Sequence, residues 1–151
     1  MPKATARDGT QLYYEETGKG TPLVFVHEFS GDYRSWEDQM RYFGRRYHCV
    51  AFNARGYPPS DVPRAHAKYS QRIVTDDVVA VLDHLKIRKA HIVGCSMGGY
   101  SALNFGIRHP ARALSITTVG AGSGSEPRLR PGFLRATKAS IKRYEAMGMP
   151  A

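Results

Sequence analysis

Cysteine is scarce in this sequence, which has two among 151 residues. Cys49 and Cys95 both lie inside apolar runs, so we expect two buried free thiols, with a single disulfide as the alternative. This content excludes the dense disulfide framework of a small secreted domain. Histidine and cysteine form no cluster at metal-ligand spacing, and no glycine-rich loop has the ending of a phosphate-binding loop. We therefore expect neither a metal ion nor an organic cofactor.

Long apolar runs are also missing from the sequence. No stretch approaches the roughly 20 apolar residues that a membrane-spanning helix needs. The first residues, 1–8, lack the apolar run of a secretory signal peptide. These two absences favour a cytoplasmic protein that does not enter a membrane.

Acidic side chains are outnumbered by basic ones. The chain has 13 Asp and Glu against 22 Lys and Arg, which gives a formal net charge of +9. Such a balance is found in nucleic-acid-binding proteins, but no aromatic stacking pattern accompanies the basic residues here. Many of them crowd into the tail: Arg128, Arg130, Arg135, Lys138, Lys142 and Arg143. We interpret them as a solvated face and expect no nucleic-acid partner.

Strand and helix patterns alternate along most of the chain. Apolar or alternating runs predict strands at 5–7, 12–17, 22–27, 48–52, 90–95 and 113–119. Helical spacing predicts helices at 36–43, 74–85, 97–109 and 133–147, with Ser70 as the N-cap of the second. The turn pair Asp8-Gly9 makes the first two strands an antiparallel hairpin. The alternation predicts an α/β fold, in which a mostly parallel sheet has right-handed crossovers and helices on both faces.

A glycine-flanked serine stands where the strand at 90–95 meets the following helix. The run Gly94-Cys95-Ser96-Met97-Gly98 is a G-x-S-x-G element, typical of a tight turn that lifts a serine Oγ clear of a sheet. The N-terminus of the helix favours negative charge that develops beside such a serine. We predict that Ser96 is a nucleophile. A glycine-rich turn that serves packing alone is the alternative.

A second loop is expected at the same edge of the sheet. The run His27-Glu28-Phe29-Ser30-Gly31 follows the first parallel strand, and the carboxyl ends of parallel strands meet at one edge. There the backbone N–H groups of Phe29 and Met97 would form an oxyanion hole with two donors.

These motifs resemble those of the α/β-hydrolase superfamily over nearly the whole chain. The likeness rests on the opening hairpin, the loop that begins at His27, the Arg-Gly loop at 53–60 and the glycine-flanked turn at Ser96. It implies that the strands are the first six of eight. It also implies that residues 1–125 form an incomplete hydrolase core and that residues 126–151 begin a lid.

The two loops depart from the family pattern at three positions. Glu28 stands where the family usually has a glycine. Asn53 and Pro58 replace the usual aspartate and glycine of the next loop.

The resemblance also implies a chemistry. A serine rather than an aspartate at the turn points to esterases, lactonases, C–C bond hydrolases and cofactor-free haloperoxidases, and away from haloalkane dehalogenases and epoxide hydrolases. The implied substrate is a small ester, a lactone or a C–C substrate. Gly94, Gly98 and Arg55 are then supporting residues, and His27 supports the oxyanion loop. A role for His27 as the general base is the minor alternative.

A proton acceptor for Ser96 is missing from this pattern. Family members place an acid and then a histidine after the serine, and His109 is the only histidine that follows Ser96. About 13 helical residues at about 1.5 Å each put His109 roughly 20 Å away. Glu126 is the first carboxylate of the following loop, and we interpret it as solvated. We expect the base and its acid in a complementary C-terminal segment or a second chain.

Placing the base and its acid outside this chain has consequences for assembly. The strand at 113–119 would be an exposed apolar edge, which is a liability for pairing and aggregation. A homo-oligomer therefore remains an alternative. So does a truncated, non-catalytic product that keeps the hydrolase fold as a binding or assembly module.

Overall fold

A computed structural model describes residues 1–122 and 124–148. Within these ranges, the strands are β1 (Lys3–Thr5), β2 (Gln11–Thr17), β3 (Thr21–Val26), β4 (Tyr47–Phe52), β5 (Ala90–Cys95) and β6 (Ala113–Val119). They form one sheet in the order β1-β2-β4-β3-β5-β6. The pairs β1–β2 and β2–β4 are antiparallel, and the pairs β4–β3, β3–β5 and β5–β6 are parallel. The predicted mostly parallel sheet with an antiparallel hairpin is confirmed.

Helices follow the strands in the predicted alternation. They are α1 (Glu37–Phe43), α2 (Gln71–His84), α3 (Met97–Arg108) and α4 (Arg130–Met147), and short 3₁₀ turns lie at Tyr33–Trp36, His66–Lys68 and Pro110–Arg112. The predicted N-cap of α2 is confirmed, because the Oγ of Ser70 accepts a hydrogen bond from the N–H of Ile73 at 3.2 Å. This bond satisfies one of the backbone donors that the first turn of a helix leaves unpaired.

Most predicted elements differ from the observed ones by one to three residues at an end, and two of these errors have a clear local cause. The first strand ends at Thr5 rather than running over 5–7, because the chain turns earlier: the N–H of Gly9 donates to the carbonyl of Ala6. The last helix begins at Arg130 rather than at 133. Pro131 lies in its first turn, where a proline is tolerated because the N–H that it lacks has no partner in the helix.

Apolar side chains are buried on both faces of the sheet, since successive residues of a strand point to opposite sides. On one face Ile92 packs with Val78 of α2 and Phe105 of α3, all fully buried. On the other face Phe25 stacks on Trp36 beside α1, with ring centroids 4.9 Å apart. Helices therefore cover both faces, as the alternation of elements predicted.

β6 is an edge strand of the sheet and is partly apolar. Leu114 and Val119 are 45% and 51% exposed. α3 packs beside β6 and exposes Tyr100, Leu103 and Ile107 at helical spacing. We call these five residues the β6–α3 surface. It agrees with the predicted exposed edge.

Cys49 is buried and Cys95 is partly exposed, and both are free thiols. The disulfide alternative is therefore wrong, and Cys95 is less buried than expected. Over 1–122 and 124–148, no helix combines the length and the apolar character required to cross a bilayer.

The chain divides into two compact units between Ala121 and Gly122. The first unit carries the sheet with α1 to α3. The second carries α4, whose apolar residues Phe133, Ile141 and Tyr144 are exposed. The assignment of residues 126–151 to the start of a lid stays a prediction.

Candidate active site

Ser96 occupies a strained turn at the carboxyl end of β5. Its backbone has φ +50° and ψ −112°, a conformation that costs a residue with a side chain about 1–3 kcal/mol. Two hydrogen bonds hold it there: the N–H of Ser96 donates to the carbonyl of Val119 at 2.7 Å, and the N–H of Tyr100 donates to the carbonyl of Ser96 at 3.0 Å. Ser96 is exposed, so the turn presents its hydroxyl to solvent at the N-terminus of α3.

Gly94 and Gly98 are glycines because backbone atoms crowd them. A Cβ on Gly94 would overlap the carbonyl of Gly98. A Cβ on Gly98 would overlap the carbonyl oxygens of Val26 and His27. The start of α3 can therefore pack directly against the end of β3, which brings the Ser96 turn next to the loop that begins at His27.

Two backbone N–H groups at this edge, those of Phe29 and Met97, were predicted as oxyanion donors. Over 1–122 and 124–148, the amides of Phe29 and Met97 donate to no other residue. Both residues approach the phenol of Tyr57, which donates to the carbonyl of Phe29 at 2.8 Å and lies 3.8 Å from the Sδ of Met97. The two predicted oxyanion donors thus belong to adjoining segments.

His27 is fully buried, and both of its ring nitrogens are engaged by the backbone. Its Nε2 accepts a hydrogen bond from the N–H of Ala54 at 3.1 Å, so its Nδ1 carries the proton and donates to the carbonyl of Glu28 at 2.7 Å. Burial lowers the pKa of His27 below its ordinary value, although the Glu28 carbonyl acts in the opposite direction. No lone pair remains on this ring for the proton of Ser96, which argues against His27 as the base.

Glu28 stands where the family usually has a glycine. Its side chain fits because it lies against a later part of the same loop. Its Oε1 accepts a hydrogen bond from the Oγ of Ser35 at 2.8 Å. A Cβ on Gly31 would overlap this carboxylate, so a glycine there makes room for it.

Arg55 is a buried connector and is only 2% exposed. Its guanidinium binds both carboxylate oxygens of Asp77 on α2 at 2.7 Å. It also contacts Asp8 of the hairpin turn at 3.0 Å and donates to the carbonyl of Lys68 at 2.9 Å. Arg55 therefore joins the hairpin, α2 and the loop after β4. A cavity of about 940 Å³ adjoins these residues, and its lining includes neither Ser96 nor Phe29 nor Met97.

Asn53 and Tyr57 are the site residues that the sequence did not assign. Asn53 is fully buried, and its Nδ2 donates to the carbonyl of Tyr57 at 3.3 Å and to that of Pro58 at 2.8 Å. Its Oδ1 accepts from the N–H of Tyr33 at 2.7 Å. The only signal in the sequence was that an asparagine and a proline depart from the family pattern.

No histidine is hydrogen bonded to Ser96 in the part of the chain that the structure describes. His109 pairs instead with Asp76 of α2 at 3.3 Å, and His91 bonds the Oγ of Ser115 at 2.8 Å. Among the same residues, no group of three or more His, Cys, Asp and Glu side chains is placed to hold a metal ion.

The family is decided by comparison with known proteins. A family model described as the alpha/beta hydrolase fold matches residues 21–143. The chain belongs to the α/β-hydrolase family. In this α/β-hydrolase the strained turn at Ser96 lies between the parallel strand β5 and the helix α3.

Several relatives of this α/β-hydrolase resemble it at 34–35% identity. The 3-oxoadipate enol-lactonase 1 of Acinetobacter baylyi is 35% identical over 75% of this chain and 42% of its own length. Epoxide hydrolase 3 of Mus musculus is 34% identical over 68% of this chain and 29% of its own. The solved structure of an N-acyl homoserine lactone degrading enzyme is 35% identical with a TM-score of 0.76, over 88% of this chain and 52% of that one. The α/β-hydrolase chain spans less than half the length of these two curated relatives.

Proposed function

We propose that this α/β-hydrolase transfers the acyl group of a small ester, a lactone or a C–C substrate to water, with Ser96 as the nucleophile. The observation that carries the proposal is an exposed serine held at φ +50° at the start of α3, near the amides of Phe29 and Met97, which donate to no other residue among 1–122 and 124–148. A serine at this position favours ester and lactone chemistry over epoxide opening. The lactone-acting relatives support the same substrate class.

In the proposed reaction the Oγ of Ser96 attacks the carbonyl carbon while its proton passes to a base. The electron pair of the C=O bond moves to oxygen, where the N–H groups of Phe29 and Met97 hold the charge. Collapse of this intermediate breaks the bond to the leaving group, which takes the proton from the base. Water then attacks the acyl-enzyme, which releases the acid and restores the Ser96 hydroxyl.

The base and its acid belong, in this proposal, to a complementary C-terminal segment or a second chain. The β6–α3 surface supports it, because a further parallel strand and helix would bury this edge and this apolar stripe. The relatives support it as well, because the matched part is less than half of each of them and leaves room for such a segment. We further propose that α4, with its exposed apolar residues, begins a lid segment.

A non-catalytic binding or assembly module is the second candidate. It is favoured by one observation, that no histidine within the described ranges is bonded to Ser96. In that case the strained turn would be retained for packing alone.

Labelling with a fluorophosphonate, located by peptide mass spectrometry, tests the proposal. We expect Ser96 to react at least about tenfold faster in the folded chain than in the unfolded chain, since oxyanion donors contribute 10²–10³-fold. Imidazole in the buffer should raise the rate further, because it replaces the base that this proposal places outside the chain. Ser96→Ala should abolish the adduct.

The matched control is Ser115→Ala, which removes the serine that is bonded to His91. This variant should label like the wild type. Failure of the folded chain to react at Ser96, with and without imidazole, would support the non-catalytic module instead. A rate that is already high and insensitive to imidazole would refute the placement of the base outside the chain.

A further inference from the structure

One hydroxyl contacts both segments that carry the candidate oxyanion donors. The Oη of Tyr57 donates to the carbonyl of Phe29 at 2.8 Å and lies 3.8 Å from the Sδ of Met97. Tyr57 itself comes from a third segment, the loop after β4. It therefore joins the loop that follows β3 to the first residue of α3.

The backbone on both sides of Phe29 is held by side chains. The N–H of Phe29 shares a planar peptide with the carbonyl of Glu28, which accepts from His27. Because N–H and C=O point opposite ways in a trans peptide, the bond from His27 turns the N–H of Phe29 away from the buried ring. The next peptide, which carries the carbonyl of Phe29, is held by Tyr57. Fixing both planes fixes φ and ψ of Phe29.

The two rings that hold these peptides also support each other. The ring of Tyr57 meets the ring of His27 edge-on, with centroids 4.6 Å apart. The backbone of Tyr57 is in turn held by Asn53, which donates to the carbonyls of Tyr57 and Pro58. Burial, together with the charge of Glu28, raises the pKa of Tyr57 to about 12, so the phenol keeps its proton and remains a donor at neutral pH.

We propose that Tyr57 is a positioning residue of the oxyanion hole: its hydroxyl holds the Phe29 peptide so that the N–H of Phe29 stays aligned with that of Met97. This inference rests on the proposed function of Ser96. Tyr57 takes no part in proton transfer, because its own proton is engaged by the carbonyl of Phe29.

The test is Tyr57→Phe, which keeps the ring against His27 and removes only the hydroxyl. Two quantities are measured in the full chain: the ¹⁵N order parameter of the Phe29 amide, and the rate of fluorophosphonate labelling at Ser96 with imidazole present. We expect the order parameter to fall from about 0.85 to below about 0.7, because the loop gains motion. We expect labelling to slow about tenfold, less than the 10²–10³-fold for outright loss of a donor.

Tyr69→Phe is the matched control. The ring of Tyr69 lies beside Gly56 of the same loop, and no partner of its hydroxyl lies among residues 1–122 and 124–148. This variant should change neither quantity. A fall in melting temperature alone would indicate a merely structural role for the Tyr57 hydroxyl and would overturn the inference.

The two proposals fail in different ways. Wild-type labelling at Ser96 that is unaffected by Tyr57→Phe overturns the role of Tyr57 and leaves the hydrolase proposal standing. An absence of labelling in both chains refutes the hydrolase proposal, and the order parameter of Phe29 then still decides whether Tyr57 holds the loop. An order parameter that does not change refutes the inference whatever the labelling shows.

Discussion

At the scale of single residues, Asn53 holds together two loops that meet at the candidate site. Its carboxamide has a donor side and an acceptor side, and each faces the matching backbone group. The NH₂ faces the carbonyls of Tyr57 and Pro58, and the oxygen faces the N–H of Tyr33. A carboxylate of the same shape has acceptors only, so the aspartate that the family usually has here would face two carbonyl oxygens.

We therefore predict that Asn53→Asp destabilises the protein by about 2–3 kcal/mol at neutral pH, because it buries a charge without a donor on one side. The same burial raises the pKa of the new carboxyl above its unfolded value. The loss of stability is thus small near pH 4 and grows as the pH rises. Urea unfolding at several pH values measures it.

Asn104→Asp is the control for this substitution. The NH₂ of Asn104 also donates to a carbonyl, that of Tyr100, but in a partly exposed position on α3. It should lose less than about 0.5 kcal/mol, as is usual at the surface. An Asn53→Asp variant as stable as this control would show that the two carbonyls do not require a donor.

At the scale of elements, one buried arginine ties the N-terminal hairpin to the rest of the sheet unit. The guanidinium of Arg55 reaches Asp8 in the turn between β1 and β2, and Asp77 in α2. It holds the pKa of the Asp8 carboxyl well below its usual range, against the opposing effect of burial. β1 is only three residues long, so the hairpin has few backbone hydrogen bonds of its own, and this ion pair helps to anchor it.

A pH dependence of stability follows from the lowered pKa of Asp8. A carboxylate with a depressed folded-state pKa contributes its full stabilisation above the unfolded value of about 3.9 and loses it as the pH falls below that value. Asp8→Asn should cost about 1–2 kcal/mol at pH 7, the range for a hydrogen bond to a charged group in a partly exposed site. The difference from the wild type should shrink below about pH 4.

Denaturant titrations between pH 3 and pH 8 provide the measurement. Asp38→Asn is the comparison, because Asp38 is exposed on α1 and forms no ion pair with another described residue. A constant difference between wild type and Asp8→Asn down to pH 3 would contradict the assignment of this ion pair.

At the scale of the whole molecule, the sheet has an apolar edge at β6 that pairs with no further strand among the described residues. β6 contains no charged residue and no proline, and the neighbouring stripe of α3 is about half exposed. Native edge strands are usually protected by charges, prolines or a covering element. The β6–α3 surface has none of these within the described residues, which is why we propose that a further segment covers it.

We predict that the 151-residue chain associates with itself through this surface. Replacing Leu103 and Ile107 together by lysine should shift the chain toward the monomer in light scattering, with little loss of stability, since both side chains are already exposed. Tyr42→Lys on α1, another exposed apolar position, is the control and should leave association unchanged. A wild-type chain that is monomeric and unfolds cooperatively would contradict both this prediction and the proposed covering segment.

The sequence by itself determined most of the elements and the sharp turn at Ser96, where we propose the nucleophile. Periodicity and turn residues are local properties, so the strands at 90–95 and 113–119 were predicted with their observed limits. The glycines around Ser96 marked the sharp turn for the same reason. The errors with a clear cause lie at the C-terminal end of β1, where a turn begins early, and at the N-terminal end of α4, where a proline is tolerated in the first turn.

Only the tertiary structure decided the partners of the residues around that serine. The strand order β4-β3-β5 is not the order of the chain, and it brings Tyr57 to Phe29, 28 residues away, and Arg55 to Asp8, 47 residues away. The fold also decided that backbone groups engage both ring nitrogens of His27 and that the Asn53 amide donates to the carbonyl of Pro58. These contacts depend on which strands are neighbours and which loops lie above them, and no local spacing in a sequence contains that information.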